Sequence, residues 1–84
     1  MSLSVRANLS TQEIDGELVI LDKINDQIHQ LNPVASYIWQ QIVSGLELNE
    51  ILEQLINTYN VERSAAQTDL DKVIQQFKDL NLLT

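Results

Sequence analysis

The sequence predicts an α+β domain in which a three-stranded antiparallel meander is followed by three helices. Three observations carry that prediction. Asp15-Gly16 separates two short runs of strand character. At Asn32-Pro33 the apolar period changes from 2 to 3.6 with no linker between. Beyond that point the helical spacing persists to the end of the chain, broken at Ser44-Gly45 and again at Asn60-Val61-Glu62.

Taken in order, residues 1–9 are too mixed in pattern to assign and are expected to form a flexible or weakly structured arm, leaving 10–84 as a single domain. Ser10 to Ile14 and Glu17 to Asp22 are the first two strands. The Asp-Gly pair between them tolerates the positive φ of a type I′ turn, whose twist suits a two-stranded hairpin. Leu18-Val19-Ile20-Leu21 is apolar on both alternating faces, so this strand is expected at the centre of the sheet and covered on both sides. Lys23-Ile24-Asn25-Asp26 supplies a second turn, and Gln27 to Leu31 returns as an edge strand. Asn32 has the short acceptor of an N-cap. Pro33 stands at N1, where its missing N–H costs nothing. The first helix runs from Pro33 to Val43 on the spacing of Val34, Ala35, Ile38, Trp39 and Ile42, and Gly45 ends it. The second begins near Leu48, with Glu47, Glu50 and Glu53 at the end where the helix dipole favours negative charge. The third runs from Arg63 to about Leu80 through Ala66, Leu70, Val73, Ile74, Phe77 and Leu80, with Asn81 as its cap.

Composition narrows the function. A chain of 84 residues has room for one domain, and at this size roughly 60–65% of the unfolded surface is buried, so the core is modest. The absence of cysteine removes disulfides, thiolate metal sites and thiol nucleophiles, and a reducing cytoplasm is the expected setting. No apolar run is long enough to span a bilayer and no signal peptide is recognisable. Five basic residues against twelve acidic ones give a net charge of −7. That balance repels phosphate backbones and anionic membranes and suits a protein or peptide partner.

Enzyme chemistry finds no constellation. His29 is alone, with no carboxylate spaced to orient it or to complete a metal set, and the two glycines form no phosphate cradle, so neither catalysis nor a cofactor is expected. Trp39 and Phe77 sit among aliphatics at helical spacing and read as core, while Tyr37 and Tyr59 read as rim residues. Sheet plus three helices suggests a winged helix-turn-helix, which invites a DNA-binding role. The third helix, however, balances Arg63, Lys72 and Lys78 against Asp69, Asp71 and Asp79, and a net-neutral reading helix on an acidic protein makes a poor duplex binder. An acyl or peptidyl carrier protein fails for want of a serine following an aspartate. What remains is the unpaired edge at Gln27 to Leu31, which can accept an extended peptide as an additional strand or be covered by another segment or a second copy.

The run GELVILDKINDQIHQLNPVASYIWQQIVSGLELNEILEQLINTYNV, followed by DLDKVIQQFKDLNLL, resembles the PqqD-like family of small peptide chaperones, also described as RiPP recognition elements. The likeness rests on the leucine-rich strand ending at Asp22, the strand closing on Leu31-Asn32, Ala35 with Ile38-Trp39, and Ser44-Gly45 before Glu50-Ile51. Tyr59-Asn60-Val61, Asp69-Leu70 and Leu80-Asn81-Leu82-Leu83 complete it. Three positions depart from the family pattern: Asp26 and Asn81 stand where glycine is usual, and Glu47 stands where serine or threonine often caps the helix.

The resemblance implies a winged helix-turn-helix that binds the leader of a ribosomally made precursor peptide and presents it to a modifying enzyme, such as a radical SAM protein or a leader peptidase. It places the leader on Gln27, Ile28, His29, Gln30 and Leu31, with a helix wall drawn from Ala66, Asp69, Leu70, Val73, Ile74 and Phe77. Which of those six face the groove and which face the core stays open. The alternative is a winged-helix scaffold or regulatory interaction module, with a homodimer formed through the same edge strand.

Overall fold

The computed structural model describes residues 3–84. Three strands, β1 (Leu9–Ile14), β2 (Glu17–Asp22) and β3 (Gln27–Gln30), are followed by α1 (Pro33–Val43), α2 (Leu48–Tyr59) and α3 (Arg63–Asp79). The sheet is an antiparallel meander in the order β1-β2-β3, so both β1 and β3 are edges. Asp15 and Gly16 both take positive φ, 54° and 82°, as a type I′ connection between paired Ile14 and Glu17 requires. The second turn has Asp26 in the left-handed region at φ 53°.

Helix boundaries follow local chemistry. The Asn32 side chain accepts the Ala35 N–H at 2.8 Å, and Gly45 at φ 91° ends the helix. The Glu50 carboxylate accepts the Glu47 N–H at 2.8 Å and the Glu47 side chain accepts the Glu50 N–H, a capping box in which a glutamate serves where a hydroxyl residue is usual. Asn60 and Asn81 turn the chain out of α2 and α3 with φ of 52° and 59°. Left-handed geometry is accessible to asparagine, and the departures from glycine leave the fold intact.

One core joins the inner face of the sheet to the helices. Leu18 and Ile20 of β2 meet Ala35, Ile38, Trp39 and Ile42 of α1, Ile51, Leu52 and Leu55 of α2, and Ala66, Leu70, Ile74 and Phe77 of α3. Trp39 and Phe77 pack edge to face with centroids 5.2 Å apart. At the rim Tyr37 and Tyr59 do the same at 5.8 Å, and the Tyr37 hydroxyl lies 3.1 Å from Thr58 Oγ1.

Two expectations change. The sheet is covered on one face only: Leu18 and Ile20 are buried, whereas Val19 and Leu21 on the opposite face are half-buried by neighbouring strands, with no helix over them. The apolar run reflects a central strand flanked on both sides, which shields side chains laterally without a second layer. The arm is also more ordered than expected. Leu9 already belongs to β1, Val5 bridges to Leu83, the Arg6 N–H donates to the Leu82 carbonyl at 2.9 Å and the Thr84 N–H to the Ser4 carbonyl at 2.9 Å. The chain's two ends pair, a long-range contact that a local pattern cannot register. Residues 1 and 2 of the expected arm lie outside the described residues.

Candidate functional site: the β3 edge and the groove beside α3

The register of β3 is pinned from both ends. At its far end the Leu31 N–H donates to the Leu18 carbonyl at 2.8 Å. The reciprocal Leu18 N–H instead donates to Ser36 Oγ at 2.9 Å, and that hydroxyl donates to the Leu31 carbonyl at 3.3 Å. A buried hydroxyl from α1 is thus inserted into the ladder and joins helix to sheet. At the near end Asp22, only 1% exposed, accepts the Ile24 and Asn25 N–H groups at 3.2 and 3.1 Å, the Asn25 side-chain amide at 2.9 Å and an Arg6 guanidinium N–H. The Asn25 side-chain amide foremost, with the Asn25 N–H and the Arg6 charge, outweighs the cost of burial and holds the Asp22 carboxyl below the usual carboxylate range.

Antiparallel pairing alternates the direction of main-chain groups, so the Leu31 to Leu18 bond sets the parity of β3. Gln27, His29 and Leu31 direct their N–H and C=O groups toward β2. Ile28 and Gln30 direct theirs outward, and β3 packs against no element other than β2. The side chains alternate as well. Gln27 and His29 share the inner face with Asp22 and Ile20, and Leu31 is buried. Ile28 and Gln30 lie on the outer face, Ile28 with 71% exposure. His29 is half-buried, and its Nε2 is enclosed without a hydrogen-bond partner.

Past the end of β3 the surface opens into two adjoining cavities. One of 330 Å³ is lined by Asn32, Val34, Asp69, Lys72, Val73 and Gln76. The next, 130 Å³ and mainly apolar, shares Val34 and Asp69 and adds Leu55, Tyr59, Val61 and Ala66. Together they form a groove between α1, the end of α2 and one flank of α3.

This separates the six α3 residues that the sequence grouped. Asp69 and Val73 line the groove, and Ala66 forms part of its inner pocket. Leu70 and Ile74 belong to the core and border a different cavity, of 420 Å³, on the flank of α3 that faces α2. Phe77 is wholly buried. The lining also includes Asn32, Val34, Lys72 and Gln76, with Leu55, Tyr59 and Val61 in the inner pocket, none of them in the sequence grouping, which drew its helix wall from α3 alone. The groove-facing flank is offset from the apolar stripe and mostly polar, with Val73 its one sign. Among the described residues, no three histidine or carboxylate side chains come together as a metal-ligand set, and no helix is long and apolar enough to cross a membrane.

A three-stranded sheet leading into three helices, the last two joined by a short break, defines a winged helix-turn-helix domain. Within that class the chain belongs to the PqqD family: the family model described as coenzyme PQQ synthesis protein D matches residues 17–83. Two solved structures are similar over nearly the whole chain. One, described as TbiB1 in complex with the TbiA(beta) leader peptide, is 25% identical with a TM-score of 0.90, covering 95% of this chain and 93% of that one. The other, described as lasso peptide synthetase B1 complexed with the leader peptide, is 25% identical with a TM-score of 0.91, covering 100% and 99%. No curated protein sequence matches the chain.

Proposed function

We propose that this protein is a non-catalytic peptide chaperone: it captures the leader of a ribosomally synthesised precursor as a fourth strand on β3 and presents the remainder to a modifying enzyme. The observation that carries this reading is the free β3 edge at Ile28 and Gln30, with a groove beside α3 whose lining begins at Asn32, just past the end of the strand. The two similar structures, both complexes with leader peptides, support it.

An extended leader lying along Gln27, Ile28, His29, Gln30 and Leu31 exchanges main-chain hydrogen bonds with Ile28 and Gln30, which supplies affinity with little dependence on sequence. Selectivity comes from alternate leader side chains. Those on the inner side run into the groove, where Val34, Val73 and the pocket over Ala66 receive apolar groups and Asp69 and Lys72 receive polar ones. Binding does no covalent chemistry. It raises the local concentration of the precursor at an enzyme bound to the same chaperone. The enzyme is of the class that alters or cleaves such precursors, a radical SAM protein or a leader peptidase, and the setting is the cytoplasm.

Calorimetric titration with synthetic leaders from short reading frames encoded beside the chain, against scrambled controls, tests this. Sequence-specific binding with a Kd of about 1 μM or tighter is expected. Heat from scrambled and native leaders alike, or from neither, would contradict it and favour the interaction-scaffold alternative.

A further inference from the structure

Arg6 stands outside the groove and touches none of its lining, yet it links the turn that leads into the β3 edge to the segment that follows α3. Its guanidinium donates to the Asp22 carboxylate, which organises the turn leading into β3. Its Nε donates to the Asn81 carbonyl at 2.6 Å, and its main-chain N–H donates to the Leu82 carbonyl at 2.9 Å, immediately beyond α3. The β2–β3 turn and the segment just after α3 are therefore held to one planar, mostly buried side chain, 17% exposed. At the opposite end Ser36 and Asn32 fix β3 to α1. Between these ends nothing packs β3 onto α3.

We infer that Arg6 is a positioning residue for peptide capture: by bridging the β2–β3 turn to the segment after α3, it sets the spacing between the β3 edge and α3 before any peptide arrives. The consequence for binding rests on the leader reading above; the bridge itself does not. A guanidinium is suited to the task because its fork of donors lets one group satisfy a carboxylate and a carbonyl in fixed relative geometry, which a lysine ammonium on a flexible stem does not reproduce. Loosening the bridge lowers the fraction of molecules whose groove is competent, and apparent affinity falls by that fraction while the contacts within the complex are unchanged.

The experiment uses the absence of native cysteine. Spin labels at Gln30→Cys and Gln76→Cys report the distance from β3 to α3, and a second pair at Gln54→Cys and Gln67→Cys reports the packing of α2 on α3. In Arg6→Gln the first distribution should broaden while the second stays as in wild type, and leader affinity should fall about five- to tenfold through a slower association rate with dissociation little changed. Arg6→Lys, which retains the charge beside Asp22, should fall between the two and carries the test if Arg6→Gln does not fold. An unchanged β3 to α3 distribution in a folded variant overturns the inference, as does broadening of both pairs together, which would mark a general loosening. A wild-type protein that binds no leader overturns the leader reading instead, and the spin-label distances then decide the bridge by themselves.

Discussion

β1 and β3 are the two edges of one sheet, each with main-chain groups turned away from β2, and they differ in what surrounds them. By the same parity argument the outward groups of β1 belong to Thr11 and Glu13, since Gln12 and Ile14 pair with Val19 and Glu17 across the type I′ turn. Glu13 shares the inner face with Leu18, so an incoming strand would bring a chain against a carboxylate that points toward the core side, a common way of protecting an edge. β3 carries no formal charge, exposes Ile28 and is followed at Asn32 by a groove of mixed polarity beside α3 that ends in an apolar inner pocket. An edge is made receptive by what surrounds it; unpaired backbone alone is common to both strands.

The largest effect should come from proline on each edge in turn. Ile28→Pro removes an outward N–H without taking any bond from the β2 ladder, so the domain stays folded while leader affinity falls by about 100-fold. Thr11→Pro is the matching change on β1 and should leave affinity within about twofold. Equal losses from both, read by calorimetry, would erase the distinction between the edges. Ser36→Ala sharpens it from inside the fold. It orphans the Leu18 N–H and the Leu31 carbonyl and should cost about 1–3 kcal/mol in denaturant unfolding, since buried main-chain groups lose a partner and gain none.

The groove itself is probed by Val34→Asp, an acidic residue tolerated in the first turn of α1 by the helix dipole. It should weaken leader binding about tenfold, whereas Val43→Asp at the exposed far end of the same helix should change it little. The smallest effect is the pH dependence set by Asp22. Its carboxyl is held below its ordinary value in the native state, so the unfolded chain binds a proton more readily. The stability it contributes is complete above the unfolded value of about 4 and is lost as pH falls through the lower native one. Thermal unfolding of wild type should therefore show a fall in Tm below about pH 4 that Asp22→Asn lacks at its lower overall stability.

Most of the fold was legible because its signals are local. Asp15-Gly16, Asn32-Pro33 and Ser44-Gly45 each dictate a turn or cap with their own side chains or φ, and each appears where the sequence puts it. The β3 edge was legible too, since a meander must leave its last strand at the border. The groove was only half legible. Apolar spacing finds the residues of α3 that fill the core, Leu70, Ile74 and Phe77, and reaches Val73, but it passes over Lys72 and Gln76, which line the same flank beside Asp69. Long-range polar links were not legible at all. Arg6 and Asp22 are 16 positions apart, Arg6 and Asn81 are 75 apart, and Ser36 acts on Leu18, 18 positions earlier in the chain. Asp22 followed by Asn25 was the one available sign that this carboxylate folds a turn and is not a solvated charge.

The most direct test of the account is residue-resolved amide hydrogen exchange with and without a cognate leader peptide. The Ile28 and Gln30 amides, free in the unbound protein, should slow by about tenfold or more, while Thr11 and Glu13 keep their unbound rates. A leader that binds and leaves Ile28 and Gln30 unprotected, or protects β1 in their place, would contradict strand addition on β3.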